Sequence, residues 1–169
     1  MKARLQGTMP THVGEQFEKD LQYSAEVRKH VLEVTQPFYK SNRIVNTDNF
    51  YTSAALLMSL RTVGLYGRGT VRKSSKHFPS FVVLPKDKDI PRGTSIIAVN
   101  TNHKIVACLW MDGSIVNMLS NADSSGSTKI YRQIKQNKVE FCAPVVVKEY
   151  NAAMQGVDRL DQLRARFSI

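Results

Sequence analysis

The chain has 169 residues, 42 % of them hydrophobic and 22 % charged, which supplies the core of one packed domain and excludes a wholly disordered chain. Lysine and arginine outnumber aspartate and glutamate by 24 to 14, a formal charge of +10; this favours an anionic partner, nucleic acid first, against the plainer alternative of a solvated basic surface. Cys108 and Cys142 show no CxxC spacing and no nearby histidine pair, which excludes a zinc finger and a disulfide framework, and no stretch approaches the ~20 apolar residues of a membrane span.

In chain order, residues 1–13 read as irregular. From Glu15 to Gln36 the apolar spacing is helical, with Val27, Val31, Val34 and Phe38 as its stripe and Pro37 as its stop. Residues 43–47 read as a short buried strand. Thr52 or Ser53 is placed to cap a helix carrying Leu56, Leu57, Leu60 and Val63, and Gly64 suits the residue that closes it. Residues 69–72 (GTVR) read as a further short strand. A polar connection with Pro79, Pro85 and Pro91 then surrounds an apolar island at 81–84.

Next comes a β-meander: strands over 95–99, 105–110 and 114–119, the last two joined by the turn signal Asp112-Gly113. Residues 128–136 read as a short basic helix or turn. Residues 139–148 read as a strand broken by Pro144, and 149–167 as a final helix. Both cysteines sit in apolar runs and are expected to be buried thiols, in keeping with a reducing compartment. The order implies an α/β unit interrupted by a small β-rich piece, divided as 1–13, 14–93, 94–127 and 128–169.

Two basic runs lack acids. Arg61, Arg68, Arg72, Lys73 and Lys76 form the first; Lys129, Arg132, Lys135 and Lys138 form the second. Phosphate contacts need only such side chains, though a solvated face needs no more. The carboxylates are more specific. Asp48 falls where strand 43–47 ends, the edge at which α/β sheets bind ligands, so it could hold a hard cation; a turn or cap is the alternative. Asp158 and Asp161 stand three apart on the final helix and project on one face, with Gly156 just before them; a solvated pair is the alternative. Carboxylates on a strand end and a helix of a basic protein fit a two-metal site for phosphoryl transfer.

Two stretches carry a family resemblance. TDNFYTS (47–53) is similar to the "DNFFTS" motif of piggyBac-type transposases, and YNAAMQGVDRLDQ (150–162) to their "YNK.MGGVD..DQ". GTVRK (69–73) resembles the family's "GTVR.NRK", and LWMDGSIVNMLSN (109–121) its "W.D.K.V..LST". The order agrees across residues 25–169, although Gln155 replaces the first glycine of "GGVD".

The resemblance implies a partial RNase H-like fold of the DDE/DDD type, with a β-rich insertion before the last catalytic helix. It implies that Asp48 and Asp158 are catalytic, that Asp48, Asp158 and Asp161 hold Mg2+ or Mn2+, and that the partner is nuclear DNA, namely transposon ends and TTAA targets. Arg68, Arg72, Lys73, Lys76, Lys129, Arg132 and Lys135 are then the expected DNA contacts.

The family's first catalytic aspartate lies upstream of the region matched here. The chain as written is therefore expected to be catalytically incomplete, to bind metal weakly, and to expose an unpaired edge at strand 43–47 that invites self-association. The competing reading is a domesticated, non-enzymatic protein that binds DNA or another partner.

Overall fold

The computed structural model describes residues 26–82 and 90–154. In chain order these form α1 (Glu26–Thr35), β1 (Ile44–Thr47), α2 (Ala54–Thr62), β2 (Tyr66–Thr70), β3 (Ser95–Asn100), β4 (Ile105–Met111), β5 (Ile115–Ser120), β6 (Ser127–Ile134) and β7 (Asn137–Pro144). A last helix, α3, runs over 145–154. The class is mixed α/β, as expected. Strands β1 to β5 form one mixed sheet in the order β1-β2-β5-β4-β3, and β6 with β7 makes a separate antiparallel hairpin.

β1 and β2 are parallel and are linked by α2, the βαβ arrangement that a strand–helix–strand sequence favours. The meander β3–β4–β5 does not stand apart from this unit. β5 pairs antiparallel with β2, so residues 95–120 extend the same sheet. β1 is one edge of the sheet among the described residues. It is also less buried than a central strand: Ile44 is exposed and the following residues are half-buried, contrary to the buried strand expected at 43–47.

α2 owes its limits to its ends. Ser53 is the N-cap, its Oγ accepting the Leu56 N–H at 3.1 Å, so of the two candidate caps the serine takes the role. At the other end Gly64 has φ +74°. The Gly64 N–H donates to Arg61 O and the Leu65 N–H to Leu60 O, closing the last turn by the paired bonds a left-handed glycine permits. Leu56, Leu57 and Leu60 are fully buried beneath it.

Both faces of the sheet are covered, and the period-two alternation of β4 sorts its residues between them. Ala107 and Leu109 join Ala54, Leu57, Val71, Phe78, Val82 and Leu119 on the α2 face. Cys108 and Trp110 join Met118, Ile130, Ala143, Val146 and Val147 on the face covered by α3 and the hairpin. Trp110 ties the hairpin down: its indole N–H donates to Cys142 O at 2.9 Å, and the Arg132 guanidinium lies 5.6 Å from its ring centroid. A third cluster seats α1 on α2 through Val31, Leu56, Leu60 and Leu65.

Several expectations need correction. In α1, Val31 is buried but Val34 and Phe38 are exposed, while Arg28 is buried. The 3-10 turn Gln36–Phe38, with Pro37 in it, breaks the helical phase, and Phe38 turns outward beneath the Arg43 guanidinium. The strand placed at 69–72 begins earlier, at Tyr66, and ends at Thr70. Residues 128–136 belong to the hairpin rather than a helix: alternation sends Ile130 inward and Tyr131 outward, and Lys135 turns the chain with φ +53°. Pro144 ends β7, after which Val145–Val147 are helical because Val146 and Val147 bury against Trp110. Cys142 is exposed, not buried.

One buried side chain joins these layers. Asn121 donates from Nδ2 to Leu57 O at 2.6 Å and accepts the Gly67 N–H on Oδ1 at 2.8 Å, linking α2, β2 and the end of β5. Asn121→Ala takes this acceptor from the buried Gly67 N–H and removes the side-chain bond to Leu57 O. The expected loss is about 2–4 kcal/mol of unfolding free energy, read as a lower urea midpoint with an unchanged slope. An unchanged midpoint would show that this link carries no stability.

Candidate functional site

The sequence of β1 ends at Thr47, and Asp48 follows at its carboxyl end. The chain there turns sharply because Asp48 bonds its own backbone downstream. Its Oδ1 accepts the Phe50 N–H at 3.0 Å and the Tyr51 N–H at 3.4 Å, the short-range pattern that suits aspartate to turns. Its carbonyl accepts the Thr52 N–H at 3.0 Å and the Thr52 hydroxyl at 2.6 Å. Thr47 and Thr52 share a further hydroxyl contact at 2.8 Å. Asp48 itself is exposed, and among the described residues Oδ2 has no hydrogen-bond partner. The carboxylate is thus oriented on one oxygen and open on the other.

That arrangement suits one ligand to a hard cation but does not make a metal centre alone. Among the described residues no group of three or more His, Cys, Asp or Glu side chains could hold an ion. Asp158 and Asp161, the expected companions, lie outside the described residues.

The expected DNA contacts divide into two kinds. Arg72 and Lys73 follow β2 and are exposed, and Lys135 is exposed at the tip of the hairpin. Lys76 is exposed as well, but it has partners within the fold. Arg68 is not available: its side chain is only 7 % exposed and lies between Asp123 and Glu149, with Nη1 at 3.2 Å and 3.8 Å from their oxygens. Alternation along β2 turns it under α3, away from solvent. Its Nε and Nη1 make no aligned hydrogen bond, so the attraction is one of charge rather than of hydrogen-bond geometry. Lys129 pairs with Glu140 at 2.7 Å, and Arg132 with Asp112 at 3.2 Å. The Lys129 and Tyr131 hydrogen bonds hold the Glu140 carboxyl below its usual range. Burial, with the Asp123 charge added, pushes the Cys108 thiol far up, so it is no candidate nucleophile.

Beside the Asp48 turn lies a groove of about 460 Å3 lined by residues 49–53, Val27, Arg28, Arg72, Ser74 and Ser75. Among the described residues it is lined by two arginines and no carboxylate. Its walls come from α1, from the turn after β1 and from the segment after β2, and they meet through the parallel pairing of β1 with β2 and the seating of α1 on α2.

Comparison with known proteins gives a consistent picture. A protein-family model described as Transposase IS4 matches residues 7–169. The human PiggyBac transposable element-derived protein 2 is 32 % identical over 134 residues, covering 72 % of this chain and 21 % of that protein. The human PiggyBac transposable element-derived protein 3 is 35 % identical over 121 residues, covering 68 % of this chain and 20 % of that one. The chain thus spans about a fifth of the length of these relatives. The fold is similar to a chain in the cryo-EM structure of the piggyBac transposase synaptic complex with hairpin DNA. That match has a TM-score of 0.63 at 24 % identity and covers 85 % of this chain and 28 % of that chain.

The Asp48 turn leans on Thr52. Thr52→Val removes the hydroxyl from the Asp48 carbonyl and from Thr47, with an expected loss of about 1–2 kcal/mol. Amide exchange at Phe50 and Tyr51 should quicken as the turn loosens. Unchanged exchange at both amides would show that the carboxylate holds the turn without the threonine.

Proposed function

The chain belongs to the Transposase IS4 family of piggyBac-type transposases, and on that footing we propose that it is part of an RNase H-like catalytic domain acting on nuclear DNA. The observation that carries the reading is the Asp48 carboxylate at the carboxyl end of a parallel strand, pinned on one oxygen and open on the other. The parallel β1–α2–β2 unit supports the RNase H-like assignment. Asp48, with Asp158 and Asp161, would hold Mg2+ or Mn2+. When bound, such ions activate the attacking oxygen and stabilise the leaving one in phosphodiester cleavage and transfer.

The remaining residues position rather than react. Thr52 and the turn amides orient Asp48. Arg72, Lys73 and Lys135 offer exposed positive charge to phosphates. A relative solved in a synaptic complex with hairpin DNA supports DNA as the partner; transposon ends and TTAA targets are the proposed sequences. The β1 edge is the surface through which self-association or pairing with another strand would run. Among the described residues no strand carries an aspartate, so the described strands add no further carboxylate beside Asp48. We expect weak metal binding and no strand transfer from this chain by itself.

Mn2+ binding followed by water-proton relaxation tests the metal assignment. The wild-type chain should bind weakly but saturably, and Asp48→Asn should weaken binding by at least about tenfold, about 1.4 kcal/mol, with unchanged circular dichroism. Equal binding by the variant would overturn the role given to Asp48.

Exposed Arg72 and Lys73 on the open side of the fold also favour a second reading, in which the chain binds DNA without turnover. DNA affinity should then fall steeply with salt. Arg72→Ala and Lys73→Ala should each lower the slope of log K against log [salt] by about 0.9. A slope that neither variant changes would remove these residues from the interface.

A further inference from the structure

We propose that the groove beside the Asp48 turn takes one unpaired nucleotide of a DNA strand, its base against Phe50 and its phosphate on Arg72. The inference rests on the DNA reading above but adds a subsite to it.

Phe50 is 59 % exposed, an unusual setting for a phenylalanine in an ordered turn. Its position is nevertheless fixed. The Phe50 N–H donates to Asp48 Oδ1, and its ring meets Tyr51 in a T-shaped contact with centroids 5.0 Å apart and planes at 81°. Among the described residues no other ring partners it. A held, solvent-facing ring is the platform on which unpaired bases stack. A base inside a duplex already has both faces covered, so this platform discriminates for unpaired strand.

The rest of the groove supplies what a nucleotide needs. Arg72 is exposed and makes no ion pair with any described residue. Arg28, which is buried and has partners of its own, adds positive potential, and among the described residues no carboxylate lines the cavity to oppose it. Asn49, Ser74 and Ser75 offer donors and acceptors along the wall. A volume of about 460 Å3 is within the range of small-ligand sites. The geometry also couples the subsite to Asp48. One carboxylate oxygen holds the Phe50 amide, so ring and carboxylate are set by the same turn.

The test uses the 169-residue chain in EDTA, so that metal binding plays no part. Fluorescence anisotropy is measured with a short labelled oligothymidylate and with a duplex of equal length, at one salt concentration and then across a salt series. The wild-type chain should prefer the single strand. Phe50→Ala should lose at least about fivefold in affinity for it and little for the duplex. Phe50→Trp should keep the affinity, and its added indole emission should be quenched by the oligothymidylate. Arg72→Ala should weaken both probes and flatten the salt dependence. Phe50 is exposed, so circular dichroism of its variants should match wild type.

If both probes bind and Phe50→Ala behaves as wild type, or the Phe50→Trp emission is not quenched, the subsite is overturned while DNA binding stands. If neither probe binds at low salt, the DNA reading falls and the subsite with it. Selective capture of an aromatic peptide in place of the oligothymidylate would likewise reject a nucleotide as the occupant.

Discussion

The closeness of α2 and its leading turn to β2 is the constraint on which the site depends. β2 carries glycine at both positions that face the helix. A Cβ at Gly67 would lie 2.5 Å from Leu57 Cδ2 and 2.9 Å from Leu60 Cδ1. One at Gly69 would collide with the Thr52 hydroxyl and the Thr47 carbonyl. Only hydrogen fits, and that lets the turn after β1 settle directly on the neighbouring strand. The Thr47–Thr52 hydroxyl contact and the bond from Thr52 to the Asp48 carbonyl form over Gly69. The orientation of Asp48 is therefore an outcome of β2 having no side chains on that face, as much as of Asp48 itself.

The opposite face solves a different problem. There Arg68 projects from β2, and its buried charge is met by Asp123 and Glu149 from the loop after β5 and from α3. Asp123 is itself held by the Ser120 hydroxyl at 2.6 Å, which also accepts the Ala122 and Asp123 N–H groups. A buried pair of this kind adds little net stability over an apolar replacement, but removing one member leaves the other uncompensated. Its structural effect is to tie the start of α3 to β2. The helical segment that leads toward Asp158 and Asp161 thus leaves from a fixed point.

Much of this was legible in sequence where a signal is local. Ser53 and Gly64 bound α2 because a cap hydroxyl and a left-handed closing residue act within one turn. Asp48 could be placed at a strand end from the apolar run and the TDNFYTS motif alone. The meander followed from the Asp112-Gly113 turn and its flanking alternation. Non-local facts were hidden. Arg68 reads as one more exposed cation of a basic run, because the helix and loop that bury it arrive more than fifty residues later. The hairpin β6–β7 was obscured because its outer face carries Lys129, Tyr131 and Gln133, so the alternation reads as polar. Val145–Val147 read as strand by propensity, and burial against Trp110 overrides it. The groove beside Asp48 could not be seen at all, since its walls meet only through strand pairing and the packing of α1.

Parallel pairing is what brings the parts of the candidate site to one edge of this sheet. Because β1 and β2 run the same way, their carboxyl ends emerge together, Asp48 from one and Arg72 shortly after the other. In open α/β sheets that edge is where ligands lie. An antiparallel pair would have placed the carboxylate and the arginine at opposite ends of the strands. The segments at this edge are exposed and short, yet each is anchored within a residue or two: Asp48 by Thr52, and Val71 by its N–H bond to Asn117 O at 2.9 Å. Anchored strand ends with exposed tips can meet a polyanion without reorganising, which limits the ordering entropy that binding costs. The interior carries the packing, and the anchored edge keeps Asp48 and Arg72 exposed.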